Sequence, residues 1–357
     1  MNIGHKNPFR ARGKTSAGAH SVLDNLAVLA YLNWLGLFYQ GQLRAGVPWA
    51  GKFDLLHEQS GQGPCMYELY KPIVDRAIQC AKNNGDFYSI LRELPVSLFG
   101  QILVQPNVEC PELRKFLPKL VDTDIQKLYN GRANLDLLPS SVSFIESICN
   151  AYTSTYLKAF PVGGKVLDYG FGWGRLLRMC CWLTNPGDIY GVDPQQKSID
   201  ICKSCNVQGT LELCDEVPAS LPFENNFFDL IFSFSVFTHL SFPAADAILK
   251  TLRRYISDNG MLVITIRPIE FWHYWMSTRN ITESDYKHVL EQYRTKGFGF
   301  VPLKKGWEAV NGSVHFGTTL ISLDFIQRTW PQWQIVNTNL TLSDPYQIHV
   351  FLVPSKI

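Results

Sequence analysis

The fold of this chain is decided by residues 166–175, which read Val-Leu-Asp-Tyr-Gly-Phe-Gly-Trp-Gly-Arg. A short apolar run leads into a turn with glycine at every second position, and Leu176, Leu177 and Cys180 then follow with the spacing of a buried helix face. Glycine is needed in such a turn because the backbone takes φ values that other residues avoid, and because a ligand can approach main chain that carries no Cβ. The open N–H groups at the start of the helix face that ligand. The stretch therefore predicts a strand, a ligand-binding turn and a helix.

The spacing of the glycines argues against a dinucleotide site. A G-x-G-x-x-G fingerprint that began at Gly170 would need glycine at position 175, where the sequence has Arg175. Asp193 ends the next apolar run, 189–192, and a carboxylate there can accept hydrogen bonds from both hydroxyls of a ribose. These features predict a nucleoside site of a different kind. A nicotinamide-dependent dehydrogenase is the alternative, and it would bind NAD.

From residue 165 onward, short apolar runs alternate with amphipathic segments, which predicts an α/β fold with a parallel sheet and right-handed crossovers. The apolar runs are 166–169, 189–192, 230–234 and 261–266. Near the end of the chain, polar and apolar residues alternate in 334–340 and 347–353, which predicts a closing antiparallel pair of strands. Ser322 is placed to cap a short helix before these strands. The α/β part is expected to span residues 161–357.

The first 160 residues carry no chemical motif and are predicted to be mostly helical. Residues 1–105 are interpreted as a helical N-terminal region with an amphipathic helix at 70–81. Residues 106–160 are interpreted as a helical connector whose longest helix runs from about 141 to 160.

Composition excludes several classes of function. The formal net charge is +2, with no long run of one sign and no basic stripe, so nucleic acid is not a predicted partner. Cys202 and Cys205 have C-x-x-C spacing but fall inside a helix without a second pair, so no metal site is predicted. Free thiols are typical of a reducing compartment, which predicts a cytoplasmic protein.

The most hydrophobic stretch is 26–39. It is too short for a membrane span, which needs about 20 residues. It is interpreted as a buried helix, with a peripheral helix lying on a membrane surface as the alternative.

The motif D-x-G-x-G-x-G at 168–174 resembles the first motif of class I methyltransferases that depend on S-adenosylmethionine (SAM). The resemblance continues through the runs 221–223, 228–233 and 259–264 and covers about residues 160–270. It implies a Rossmann-like core with a mostly parallel seven-stranded sheet and an antiparallel last strand. It also implies SAM as the cofactor and S-adenosylhomocysteine as its product.

The resemblance implies one cofactor site at the carboxyl ends of the strands. Its members are Asp168, Gly170, Gly172, Gly174, Asp193, Cys214, Asp215 and Ser233. The three glycines would lie under the methionine part of SAM. Asp168 would hold the amino group, directly or through water, and Asp193 would bind the ribose. Cys214 and Asp215 are candidates for the adenine edge.

Phe171 and Trp173 depart from the small residues often found between these glycines. Their rings either stack near the sulfonium cation or pack under the turn. If they crowd the pocket, the chain is a SAM-binding scaffold subunit without activity, which stays open as an alternative.

Methyl transfer from a sulfonium is an in-line displacement, and much of its rate comes from positioning. A hydroxyl acceptor also needs a base. His239 follows the run 230–234, at the edge where open α/β sheets bind ligands, and is predicted as the base or as an orienting residue. The alternative is that Thr238, His239 or Ser241 caps the next helix.

A second catalytic candidate, His273, lies in the aromatic cluster 267–275. This cluster begins an insertion at about 269–315 that is expected to lie over the cleft. Aromatic faces suit a sugar ring or a planar acceptor. The alternative is a helix that packs its own aromatic residues on the domain.

Four stretches resemble bacterial methyltransferases encoded among polysaccharide-assembly enzymes: 130–144, 235–240, 316–322 and 344–347. This resemblance implies a glycan or nucleotide-sugar hydroxyl as acceptor. The leading hypothesis is therefore O-methylation of a sugar, a glycan or another small polar metabolite. N- or C-methylation of a small molecule or lipid is the alternative. The N-terminal region is expected to cover the acceptor pocket, to form a homodimer contact or to dock on a larger assembly.

Overall fold

The computed structural model describes residues 66–105, 110–278, 281–302 and 314–356. All of these belong to one unit of the chain, Met66–Ile357. The hydrophobic stretch 26–39 lies outside the described residues. Within the described parts, no helix has the length and apolar character needed to cross a membrane.

The described strands are, in chain order, β1 (Val166–Tyr169), β2 (Ile189–Asp193), β3 (Thr210–Leu213), β4 (Phe228–Ser233), β5 (Ile256–Ile266), β6 (Phe298–Pro302), β7 (Gly317–Ile321), β8 (Trp333–Thr341) and β9 (Asp344–Pro354). Seven of them form a sheet in the order β3-β2-β1-β4-β5-β9-β8, while β6 and β7 pair separately. Strands β1 to β5 are parallel, and β9 is antiparallel to both β5 and β8. The predicted α/β class and the Rossmann-like sheet with an antiparallel end are confirmed.

The central strands are apolar because helices or loops cover both faces of a parallel sheet. All four residues of β1 are buried, and β5 is buried without interruption from Gly260 to Ile266. Because parallel strands end at the same edge, the turn after β1 and the segment after β4 face one another there. This edge is where the candidate site forms.

The described helices are α1 (Met66–Lys82), α2 (Phe87–Leu91), α3 (Val96–Val104), α4 (Thr123–Asn130), α5 (Leu138–Tyr156), α6 (Arg175–Leu183), α7 (Gln196–Ser204), α8 (Phe242–Tyr255), α9 (Ile269–Thr278), α10 (Glu283–Lys296) and α11 (Leu323–Thr329). The helix predicted at 70–81 lies within α1. The helix predicted at 141–160 is α5, and it ends earlier because Leu157 takes a left-handed conformation with φ of 55°. Ser322 caps α11 as predicted, since its hydroxyl accepts from the N–H of Phe325.

Helix α5 connects the helical region to the sheet. The ring of Phe144 is fully buried and makes edge contacts with Phe232 on β4 and His349 on β9, at centroid distances of 5.6 and 5.0 Å. Trp182 on α6 donates its indole N–H to the carbonyl oxygen of Leu94 at 2.8 Å. The helices between 66 and 156 therefore share a core with the sheet.

His349 is a buried titratable group in this core. It is completely buried, and neither ring nitrogen has a hydrogen-bond partner among the described residues. Burial lowers the pKa of His349 to about 4. The folded protein keeps the ring neutral, whereas the unfolded chain takes up a proton near the ordinary pKa of about 6.5. This contribution to stability is full above pH 6.5 and is lost as the pH falls toward 4.

The free energy of unfolding of the wild type falls between about pH 7 and pH 4.5. We expect this fall to be smaller by about 2–3 kcal/mol in His349→Phe. Urea unfolding at both pH values measures the change, and the altered ring size affects both values alike. His288→Phe on exposed α10 is the control and should keep the wild-type pH dependence. An H349F variant with the wild-type dependence would contradict the buried neutral histidine.

Candidate cofactor and active site

The predicted ligand-binding turn lies between β1 and α6, at the carboxyl edge of the sheet. Gly170, Gly172 and Gly174 have φ values of 81°, 58° and 78°. A Cβ at Gly170 would lie 2.6 Å from the side chain of Val236, and one at Gly174 would lie 2.9 Å from Sγ of Cys202. The left-handed backbone and the lack of room both require glycine here.

Asp193 ends β2 and braces this turn. Its Oδ2 accepts the N–H of Gly172 and its Oδ1 accepts the N–H of Gln195, each at 2.9 Å. Burial raises the pKa of Asp193, and the two backbone hydrogen bonds oppose that rise. Because each carboxylate oxygen has two lone pairs, both oxygens keep capacity for a ligand.

Asp168 lies in β1 and is only 2% exposed. Burial and the nearby Asp193 raise its pKa well above the ordinary value, and Arg175 opposes this with a smaller effect. A buried carboxylate in such surroundings is stabilised by a cation bound next to it. The site is therefore electrostatically suited to a positively charged ligand group.

The turn and the two carboxylates line a cavity of about 260 Å³. Residues 234–236 and His239, which follow β4, form a second side of this cavity. His315 and Phe316, which precede β7, also line it. The cavity thus joins the predicted cofactor turn to the predicted catalytic histidine.

His239 is held in the cavity wall by pairing with the start of β7. The N–H of Gly317 donates to the carbonyl oxygen of His239 at 2.7 Å, and the N–H of Thr319 donates to that of Thr238 at 2.9 Å. The imidazole stacks on the ring of Phe316, with centroids 4.9 Å apart and an interplanar angle of 10°. These contacts fix the orientation of the ring.

The protonation of His239 follows from its hydrogen bond. Its Nδ1 lies 2.8 Å from the carbonyl oxygen of Gly317, and a carbonyl can only accept, so Nδ1 carries the proton and Nε2 keeps a lone pair. Burial, with a smaller effect of Arg267, lowers the pKa of His239 to about 4. The ring is therefore neutral at neutral pH.

Ser241, rather than His239, occupies the N-cap of α8, and its side chain makes no cap bond. Helix capping thus does not account for His239.

Residues 167–264 match a family model described as "Methyltransferase domain". The chain contains a class I SAM-dependent methyltransferase domain. No curated protein matches the chain.

The methyltransferase fold is similar to several solved structures. The PH0226 protein from Pyrococcus horikoshii OT3 is 15% identical with a TM-score of 0.42, over 60% of this chain and 90% of that chain. A S-adenosylmethionine-dependent methyltransferase from Clostridium acetobutylicum ATCC 824 is 15% identical with a TM-score of 0.41, over 65% and 96%. The plantazolicin methyltransferase BpumL is 17% identical with a TM-score of 0.38, over 73% and 97%. Since these scores are low, the assignment rests on the match at 167–264 and on the sheet order.

Part of the predicted site comes together in the methyltransferase domain. Asp168, Gly170, Gly172, Asp193 and His239 all line the cavity. The third glycine of the turn lies beneath it, against α7. The carboxyl edge therefore gathers residues from β1, β2 and the segment after β4.

Besides Gly174, three residues predicted to bind the cofactor do not line the cavity: Ser233, Cys214 and Asp215. The hydroxyl of Ser233 donates to a carbonyl oxygen of β1 at 3.0 Å and so joins two strands. The N–H of Cys214 donates to the carbonyl oxygen of Asp193 at 3.2 Å, and Asp215 is exposed. Glu216, the next residue, does line the cavity.

His273 lies on α9 and is exposed, outside the lining of the cavity. Its Nδ1 is 2.6 Å from the hydroxyl of Tyr286 on α10. Its aromatic neighbours pack on each other, as when Tyr274 stacks on Tyr346 at 4.8 Å and 18°. This arrangement agrees with the alternative of a helix that packs its own aromatic residues.

Two cavity residues that the sequence does not indicate, Tyr129 and Asn130, come from the end of α4. The hydroxyl of Tyr129 lies 3.2 Å from Oγ of Ser198, and Asn130 accepts the indole N–H of Trp173 at 2.7 Å. Trp173 is 3% exposed, so this bulky residue of the turn fastens the turn to α4. The described residues hold no group of three His, Cys, Asp or Glu side chains suited to a metal ion.

Proposed function

We propose that this methyltransferase transfers the methyl group of SAM to a hydroxyl of a sugar, a glycan or another small polar metabolite, with His239 as the general base. The observation that carries the proposal is the 2.8 Å contact between Nδ1 of His239 and the carbonyl oxygen of Gly317. It leaves Nε2 unprotonated on a histidine that lines the same cavity as the glycine turn. A hydroxyl acceptor requires such a base during the reaction.

The residues of the cofactor side fit the chemistry of SAM. Gly170, Gly172 and Gly174 present main chain without Cβ atoms, and a Cβ at any of them would meet a neighbouring side chain. Asp193 keeps lone pairs for the ribose hydroxyls, and Asp168 offers a buried carboxylate to the amino group. When bound, SAM supplies an electrophilic methyl group on a sulfonium. The chain supplies the positions that bring an acceptor in line with it.

The acceptor side carries polar atoms and ring faces. Ser235 lines the cavity, and so does His315, whose buried Nδ1 has no hydrogen-bond partner among the described residues. A buried unpaired nitrogen costs free energy, and a polar acceptor is the kind of ligand that relieves this cost. Phe234 and Phe316 add aromatic surface to the lining, of the kind that sugar rings contact. These features favour a small polar acceptor over a lipid.

His239 would take the proton from the acceptor hydroxyl on Nε2. Because its pKa is depressed to about 4, the ring is a weak base, and proton transfer has to accompany methyl transfer rather than precede it. Nδ1–H stays bonded to the carbonyl oxygen of Gly317 throughout, which orients the ring and stabilises the imidazolium. The proton then passes to solvent.

We also propose that the protein acts in the cytoplasm. The cysteines in the described parts of the chain are free thiols. Burial raises the pKa of Cys202 and Cys214 to about 12, which keeps them protonated and unreactive. Thiols of this kind persist in a reducing compartment.

Assays with isotopically labelled SAM test the acceptor class. The panel consists of free sugars, nucleotide sugars and oligosaccharides, with their O-methylated forms as controls. The expected result is a methyl ether on a sugar hydroxyl and no label on the methylated controls. Label found only on nitrogen or carbon would contradict O-methylation. Tight SAM binding without transfer to the panel or to cell extract would favour the scaffold alternative.

We expect Asp168→Asn to stabilise the ligand-free enzyme and to weaken SAM binding. The folded-state pKa of Asp168 is raised above its ordinary value of 3.8, so the wild type loses stability as the pH rises from 3.8, and the loss is complete above the folded-state pKa. Below pH 3.8 this loss is absent. Thermal unfolding is measured from about pH 4 to pH 8. The Tm of D168N should exceed that of the wild type by a difference that grows as the pH rises, at about 2–4 °C for each kcal/mol of stability gained. A variant less stable than the wild type at pH 8 would contradict the raised pKa.

A further inference from the structure

Arg175 is a buried cation in the wall of the cavity. It is the first residue of α6, it is 8% exposed, and it lines the same cavity as Asp168. Its guanidinium carbon lies 4.8 Å from the centroid of the Phe234 ring, another part of the cavity wall. The methyltransferase resemblance assigns no role to this side chain.

The charge of Arg175 has no directly bonded anion among the described residues. Its Nη1 donates to the hydroxyls of Ser141 at 2.6 Å and Ser140 at 3.4 Å, and both partners are neutral. Asp344 and Asp168 act on it only at longer range, and it forms no ion pair within 4.0 Å in the described parts of the chain. A guanidinium has five N–H donors, so most of its donor capacity is unused by these serines.

A buried charge without a paired ion is costly, and one that faces a cavity is most simply explained by an anionic ligand group. Burial lowers the pKa of Arg175 to about 10, which leaves the side chain charged at neutral pH. Planar guanidinium groups bind carboxylates through two parallel hydrogen bonds. The chemistry therefore points to a carboxylate.

We propose that Arg175 binds the carboxylate of the methionine part of SAM, opposite the ammonium group held by Asp168. This rests on the proposed function, since it takes SAM to be the ligand of the cavity. Asp168 and Arg175 lie at the two ends of one turn, where the charge of the guanidinium favours the ionised form of the carboxyl group. An α-amino acid presents an ammonium and a carboxylate on one carbon, and this pair of side chains complements both.

Calorimetric titration with SAM and with decarboxylated SAM tests the assignment, because the second ligand keeps the sulfonium, the ammonium and the nucleoside. The wild type is expected to bind SAM about 10- to 100-fold more tightly, as a charge-assisted hydrogen-bonded pair requires. In Arg175→Met this preference should fall to about twofold or less, because the affinity for SAM decreases while the affinity for decarboxylated SAM stays the same. Arg175→Lys keeps a cation and should retain part of the preference.

Arg253→Met on α8 is the matched control, because Arg253 lies outside the cavity lining and should leave the preference unchanged. Equal binding of both ligands by the wild type would overturn the assignment even if R175M does not fold. An R175M variant that keeps the wild-type preference and raises only the acceptor KM would overturn it as well, in favour of an acidic acceptor. A wild type that binds neither ligand would instead overturn the proposed function.

Discussion

Replacing His239 with alanine is expected to lower kcat by about 10²- to 10⁴-fold while the Kd for SAM changes less than about twofold. The size follows from the loss of a general base, and the unchanged Kd follows because His239 lies in the segment after β4 and not in the glycine turn. Steady-state kinetics with the acceptor found in the panel, together with SAM titration, measure both quantities. Full activity in H239A would rule out the base.

Two variants separate proton transfer from positioning. His239→Asn can still donate to the carbonyl oxygen of Gly317 but has no nitrogen that accepts a proton, so it should be as slow as H239A. If H239N recovers most of the rate, His239 only orients the segment. His273→Ala removes an exposed histidine bonded to Tyr286, and wild-type kinetics are expected of it.

The pH profile gives an independent check on His239. With a pKa near 4, His239 does not gain a proton between about pH 8 and pH 5, so kcat should show no loss from this group over that range. Activity falls only as the pH approaches the folded-state pKa. A wild-type loss of kcat centred near pH 6.5, absent from the residual activity of H239A, would contradict the depressed pKa.

The strand, turn and helix at 166–183 could be predicted because their signals are local. Glycine at every second position and the apolar spacing after it need no knowledge of distant residues. The meeting of Asp168, Asp193 and His239 could also be predicted, since each lies near or just beyond the carboxyl end of a parallel strand and such ends share one edge. The sheet order confirms the reasoning about that edge.

The remaining parts of the cavity depend on contacts that no local pattern reveals. Tyr129 and Asn130 reach the turn only through the packing of α4, and His315 through the pairing of its neighbours with the segment after β4. The hydrogen bond that fixes the proton of His239 joins segments 78 residues apart. The end of β3 shows a different limit. The segment after Leu213 has no regular structure and bends at Glu216, so no strand periodicity predicts that Glu216 rather than Asp215 lines the cavity.

Replacing Asp193 with alanine is expected to weaken SAM binding by about 1–3 kcal/mol, a roughly 5- to 150-fold rise in Kd. Two losses contribute. The ribose hydroxyls lose their acceptor, and the N–H groups of Gly172 and Gln195 lose the carboxylate that holds the turn. Asp193→Asn keeps one oxygen but sets an amide nitrogen against one of these N–H groups, so it should also bind weakly.

The two contributions of Asp193 can be measured separately. Hydrogen exchange at Gly172 without ligand reports the brace, and it should speed up in D193A because the Oδ2 acceptor is gone. Binding of S-adenosylhomocysteine against its 2′,3′-dideoxy form reports the ribose contact, and the wild-type preference for the hydroxylated ligand should disappear in D193A. Substitution of alanine for the exposed Asp200 on α7 is the control for both readouts. If D193A shows faster exchange at Gly172 but keeps the preference for the hydroxylated ligand, Asp193 holds the turn and does not bind the ribose. The turn would then loosen without any change in the contacts to the sugar.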